Sequence, residues 1–176
     1  IFGELKLSDS ELLKTILYKD GQLRGYITGT ALYNQLGLTT QLPRTITIAI
    51  EGGRQNKNFG TLRAKLVKSR APVKVADVMV LQYLDTLRDI NDIPDADANE
   101  TLFRMAKRFS RLDDKQVRRA KTLALNYYTA KVAALTGLLL KYTGKDDALS
   151  LKKSLNPLTR FKIGLDMKQW PESRDW

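Results

Sequence analysis

The stretch Gly25-Tyr26-Ile27-Thr28-Gly29-Thr30-Ala31-Leu32-Tyr33-Asn34-Gln35-Leu36-Gly37-Leu38-Thr39-Thr40-Gln41-Leu42-Pro43 decides how the chain is read. It has too few charges for a solvated loop and too many Gly and Thr for one long helix. Its pattern gives a short strand at 25–27, a Thr/Gly turn, and a short helix over 31–36. Thr28 or Thr30 caps that helix, since a hydroxyl accepts a hydrogen bond from an otherwise orphan helix N–H. Gly37 sits just past the last apolar helical residue, where a left-handed cap favours a residue without a Cβ. Pro43 marks entry into a strand.

Downstream, 45–50 alternates strictly: Ile46, Ile48 and Ile50 point one way, Thr45, Thr47 and Ala49 the other. Residues 61–68 alternate too, with Leu62, Ala64 and Leu66 inward and Arg63 and Lys65 outward. The Gly- and Asn-rich run 51–60 joins them. The expected arrangement is an antiparallel hairpin with a basic tip at Arg54 and Lys57 and a basic outer face at Arg63, Lys65 and Lys68. Upstream, Ser8-Asp9-Ser10-Glu11 reads as a capping box opening a helix with Leu12, Leu13, Ile16 and Leu17 on one face, ended by Lys19-Asp20-Gly21.

From Val75 onward the pattern is helical. One helix covers 75–90, with Val80, Leu84 and Leu87 buried, and Pro94 breaks the run. Asp97-Ala98-Asn99-Glu100 opens the next as a capping box, with Leu102, Met105, Ala106 and Phe109 on its apolar face. Asp113 caps a further helix that runs as far as Tyr142. The second half of that helix, 132–140, is apolar almost all round and belongs in the core. Gly144 ends it, a short helix begins near Ala148, and 161–165 turns extended. The chain is thus expected to be α+β: a small N-terminal helix and β-hairpin unit (1–72) packed on a C-terminal helical bundle (73–176).

The 176 residues are 43% apolar, enough for a real core, and carry a net charge of +11. The charge is blocked rather than mixed. Residues 1–51 are neutral, 52–76 carry +7, 77–100 carry −6, 101–131 carry +7 and 141–176 carry +3. A plain solubility surface mixes signs more evenly. There is no Cys and no His, which excludes disulfides, cysteine-ligated zinc, Ser–His triads and histidine metal sites. No run is long and apolar enough to span a membrane and no signal peptide is visible, so a cytoplasmic location without membrane contact is expected.

Arg104, Lys107, Arg108, Arg111, Lys115, Arg118 and Arg119 form a stripe with almost no interleaved carboxylate. With Arg54, Lys57, Arg63 and Lys65 of the hairpin they are the candidate nucleic-acid contacts, since phosphate neutralisation releases condensed counterions. The plainer alternative for any one charge run is a solvated helix face. The functional alternative is a protein-interaction module docking an acidic partner. Asp85, Asp89, Asp92, Asp95 and Asp97 suit caps, turns and charge offset better than a magnesium site. Neither glycine loop has the Gly-Lys-Ser/Thr of a P-loop, so no cofactor and no enzymatic activity are expected. Thr39-Thr40-Gln41 fits a helix-to-strand junction whose hydroxyls and amide satisfy backbone groups.

The opening stretch also resembles a signature of AbiEi-like antitoxins of bacterial type IV toxin–antitoxin systems, G-Y-x-T-G-x-x-x-x-N-x-L-G-L-T-T-Q-x-P. Gly25, Tyr26, Thr28, Gly29, Asn34, Leu36, Gly37, Leu38, Thr39, Thr40, Gln41 and Pro43 stand where it asks. Lys131-Val132-Ala133-Ala134-Leu135-Thr136-Gly137-Leu138-Leu139 is similar to the family's VRALLGAIL helix. Leu155-Asn156-Pro157-Leu158-Thr159-Arg160-Phe161-Lys162-Ile163-Gly164-Leu165 is similar to its LNPLTRYKIGL. Family members begin with a DNA-docking winged helix followed by an FGEL segment. This sequence starts at Ile1-Phe2-Gly3-Glu4-Leu5, so the winged helix is expected to be missing here. The resemblance implies an antitoxin that represses its own operon and opposes a nucleotidyltransferase-like toxin. The part present here would then add phosphate contacts on operator DNA or help pair protomers into a homodimer.

Overall fold

A computed structural model of the chain describes residues 9–52, 55–59, 62–146 and 148–176. The fold is α+β: a small sheet and its flanking helices lie against a larger helical assembly. Helix α1 (Asp9–Leu17) lays Leu12, Leu13, Ile16 and Leu17 against Ile46, Ile48, Ile50, Leu62, Ala64 and Leu66 of the sheet. Ser8, expected as its cap, lies outside the described residues. The chain then makes a tight hairpin, β1 (Tyr18–Lys19) and β2 (Gln22–Leu23), where the sequence suggested a simple helix end. Asp20 and Gly21 both take left-handed φ, 51° and 75°, the geometry that two-residue hairpins require.

The main sheet contains β3 (Gly25–Thr28), β4 (Ile46–Ile50), β5 (Gln55–Phe59) and β6 (Leu62–Lys68), ordered β3-β4-β6-β5. This corrects the expected hairpin. β4 and β6 are parallel, Ile48 opposite Leu66, and β6 pairs antiparallel with β5, a strand inside the run read as a connection. Alternation fixes which face of a strand is buried but not its direction or partner. Only two residues separate β5 from β6, so the local hairpin forms there and β4 takes the other edge of β6. β3 runs antiparallel to β4, with Tyr26 opposite Ala49 and Thr28 opposite Thr47.

Helix α2 (Thr30–Gln35) follows, but neither Thr28 nor Thr30 caps it. Gly29 is the N-cap, at φ 69°, and the Thr28 hydroxyl is engaged elsewhere. Gly37 adopts φ 67°, the left-handed stop expected of it. A 3-10 turn (Val75–Asp77) leads into α3 (Val78–Arg88), and α4 (Ala98–Phe109) starts at Asp97, whose carboxylate accepts from the Glu100 N–H at 3.0 Å. Glu100 does not complete a reciprocal box; its carboxylate turns to Arg104 instead.

The long helix expected from Asp113 is two. α5 (Asp114–Tyr127) carries the capping box of Asp113 and Gln116, and α6 (Ala130–Tyr142) begins after an extended Tyr128. At the break the Tyr128 hydroxyl donates to Asp85 at 2.9 Å. In α6 every residue from Val132 to Leu140 is buried, as the apolar run predicted. The Trp176 ring lies over Gly137, where an added Cβ would fall 2.3 Å from it. α7 (Leu149–Ser154) and a 3-10 turn (Pro171–Asp175) follow, while 161–165 forms no strand and instead packs Ile163 and Leu165 on the core. That core joins Tyr26, Leu32, Tyr33 and Leu38 to Leu81, Leu84, Phe109, Leu123 and Leu139, so it draws on both sides of residue 72.

Candidate nucleic-acid interface

The positive side chains of α4 and α5 divide into two sets. Arg119 forks onto Asp77, its Nε 2.8 Å from one carboxylate oxygen and its Nη2 2.6 Å from the other, where the Asp77 side chain is 3% exposed. Arg104 pairs with Glu100 at 2.6 Å on its own helix, both partners exposed. Arg108 donates to the Leu36 carbonyl at 2.7 Å, tying α4 to the end of α2. Three of the seven expected contacts are therefore partly or wholly engaged by the fold. Lys107, Arg111, Lys115 and Arg118 are exposed, and no ion pair to any of them is found among the described residues. They run from the last turn of α4 into the first turns of α5, where Leu112 is buried and the exposed Asp113 starts the next helix.

On the sheet, Arg63 and Lys65 are exposed on β6 while Leu62, Ala64 and Leu66 are buried, as alternation predicted. Lys57 is not at a loop tip: it lies in β5, opposite Ala64 in register. Arg54 lies outside the described residues.

The acidic block does something the sequence did not announce. Asp85, 1% exposed in its side chain, receives the hydroxyls of Tyr26 at 3.2 Å, Thr28 at 2.8 Å and Tyr128 at 2.9 Å, and Nη1 of Arg88 at 2.8 Å. Arg88 also donates from Nε and Nη2 to the two oxygens of Asp89, both at 2.6 Å, and Asp89 accepts the Tyr33 hydroxyl. Lys131 Nζ donates to the Arg88 carbonyl at 2.8 Å. Burial, the largest influence, pushes the Asp85 carboxyl above its usual range, opposed by Arg88 and by the three hydroxyls. At Asp89 burial again acts upward, but the hydrogen bonds from Arg88 and Tyr33 outweigh it and the carboxyl titrates below its usual range. Tyr26, Tyr33 and Tyr128 are all driven upward, first by burial and then by the neighbouring carboxylates, so they stay protonated donors.

Two residues of the opening stretch, Tyr26 and Thr28, thus meet α3 and the α5–α6 break at one buried carboxylate. The sequence signal was present in the spacing Asp85, Arg88, Asp89, which puts a cation within one turn of two acids. Nothing in the spacing says that tyrosines from three other elements converge on them.

Beside this network lies a cleft of about 480 Å³ whose walls include Thr28, Gly29, Thr47, Lys68, Arg70, Arg88, Asp89 and Tyr127. At the other end of the opening stretch, Asn34 donates to the Thr39 carbonyl, the Thr39 hydroxyl accepts the Gln41 N–H, and Gln41 Nε2 reaches Asp95 at 2.8 Å. The Thr39 hydroxyl meets a backbone group as expected, whereas the Gln41 amide goes to a carboxylate instead. Among the described residues no group of three acidic side chains gathers as metal ligands would, and no helix is long and apolar enough to cross a membrane. No family model, no curated protein and no solved structure matches the chain.

Proposed function

We propose that this chain is a non-catalytic, nucleic-acid-contacting part of an antitoxin of the AbiEi-like kind. The observation that carries the proposal is the row Lys107, Arg111, Lys115 and Arg118, exposed along the α4–α5 elbow without ion pairs among the described residues. Charges that a fold needs for itself acquire partners, as Arg119 does; exposed charges left unpaired within a dozen residues of one another suit a polyanion. Such contacts go to phosphates, so they add affinity and not sequence choice. The resemblance of the opening stretch supplies the rest: operon repression and opposition to a nucleotidyltransferase-like toxin.

A salt titration of duplex DNA binding tests the first part. Four phosphate contacts give a slope of log affinity against log salt of about −3.6. Each charge-removing substitution in the row should lower that slope by about one. An affinity indifferent to salt would remove the phosphate role. Co-expression with a nucleotidyltransferase-like toxin tests the second part, with growth rescue as the readout.

A further inference from the structure

The cleft beside the Asp85 network carries an excess of positive charge that the fold leaves available. Three cations line it, Lys68, Arg70 and Arg88, against the carboxylate of Asp89 in the wall and that of Asp85 paired to Arg88 behind it. Both Asp89 oxygens are already engaged by Arg88 and Tyr33. Arg88 has five N–H groups, and the two aspartates take three of them. Two N–H donors remain on a guanidinium that is 26% exposed and held in place from behind. A fork fixed in this way loses little freedom when it meets an anion. Lys68 and Arg70 are exposed, with no ion pair among the described residues.

Size and lining narrow the anion. The volume is in the range of small-molecule sites and well beyond what one phosphate fills. Tyr127, 40% exposed, adds an aromatic side chain to the wall, which a bare phosphate would not use. We propose that the cleft binds one nucleotide, its phosphate against Arg70, Lys68 and the free N–H groups of Arg88, its base against Tyr127. The inference deepens the nucleic-acid reading above, yet it uses none of the cations of the α4–α5 row. A free mononucleotide and the end of a single strand share this chemistry.

Calorimetric titration of the whole chain separates the cases. The ligands are a 5′-mononucleotide, the matching nucleoside, inorganic phosphate and a short 5′-phosphorylated single strand. The mononucleotide should bind, and the nucleoside and inorganic phosphate should each bind at least about tenfold more weakly. Arg70→Ala should weaken the mononucleotide about tenfold, and Tyr127→Ala by about fivefold or more. Both positions are surface-exposed, so the variants should keep the wild-type melting temperature. Tighter binding of the phosphorylated strand than of the mononucleotide identifies a strand end as the source; equal binding identifies the free nucleotide.

The double variant Lys107→Ala/Arg118→Ala should leave mononucleotide affinity unchanged while weakening duplex binding. Retained mononucleotide binding with no duplex binding would sink the row and leave the cleft standing. Absence of binding by both nucleotide and strand at millimolar concentration, or affinities unmoved by both cleft substitutions, would overturn the proposal.

Discussion

Arg88 and Lys107 are both cations on helices of one basic protein, and they sit in opposite regimes. Arg88 is wedged between two aspartates, one of them almost wholly buried, and it is that aspartate, Asp85, that ties β3 to α3 through Tyr26 and Thr28. Lys107 stands in water with neighbours of its own sign three and four residues away. The contrast teaches that a net charge of +11 is not +11 of ligand-ready charge. Arg119, Lys121 and Lys141 are each paired to an aspartate within 2.9 Å, and Arg88 gives three of its five N–H groups to two aspartates, so part of the positive charge is internal bookkeeping of the fold. What is left for a partner is smaller and more localised.

The sharpest way to break this contrast is to remove the fixed cation. Arg88→Met leaves Asp85 and Asp89 without their counter-charge, and breaking a buried pair from one side costs about 3–5 kcal/mol. Arg88 is partly exposed, so the low end is expected, read as a shift in urea midpoint with an unchanged slope. A loss under about 0.5 kcal/mol would mean that the tyrosine hydroxyls alone hold the two carboxylates. Arg119→Gln is the intermediate case. Asp77 stays buried but the lost partner is more than a third exposed, so solvent screens the pair and about 1–2 kcal/mol is expected in the same assay.

The next test is pH. The folded state holds the Asp89 carboxyl below its ordinary value of 3.8, so it binds fewer protons there than the unfolded chain. Its contribution to stability is therefore complete above about 3.8 and is lost as pH falls through the folded value. Asp89→Asn should flatten that acid limb of the midpoint-against-pH curve. An unchanged limb would show that the Arg88 fork does not depend on Asp89 being charged. Smallest of all on stability are Lys107→Ala, Arg111→Ala, Lys115→Ala and Arg118→Ala, each within about 0.5 kcal/mol of the parent by thermal melting. If any of them unfolds the protein by more than about 1 kcal/mol, that residue belongs with Arg88 and leaves the binding row.

Much of the local structure was legible. Gly37 stops α2, Asp113 opens α5, and the apolar face Leu102, Met105, Ala106 and Phe109 is buried as written. Each depends on neighbours within one or two turns. The outward face of β6 was legible for the same reason. The strand order was not, because alternation is identical for parallel and antiparallel partners. Nor was the α5–α6 break, at which the extended Tyr128 donates its hydroxyl to Asp85, 43 positions away.

By itself the sequence determined most of the helices, the buried faces of β4 and β6 and the blocks of charge, since helix period, strand alternation, caps and glycine turns all act over a few residues. Only the tertiary structure decided which charges have partners. Thr28 reaches Asp85 across 57 positions, Arg119 reaches Asp77 across 42, and Arg108 reaches Leu36 across 72. Those pairings follow from how the layers stack, and burial then makes each of them worth keeping, because an unpaired charge or hydroxyl in the interior loses its water without replacement.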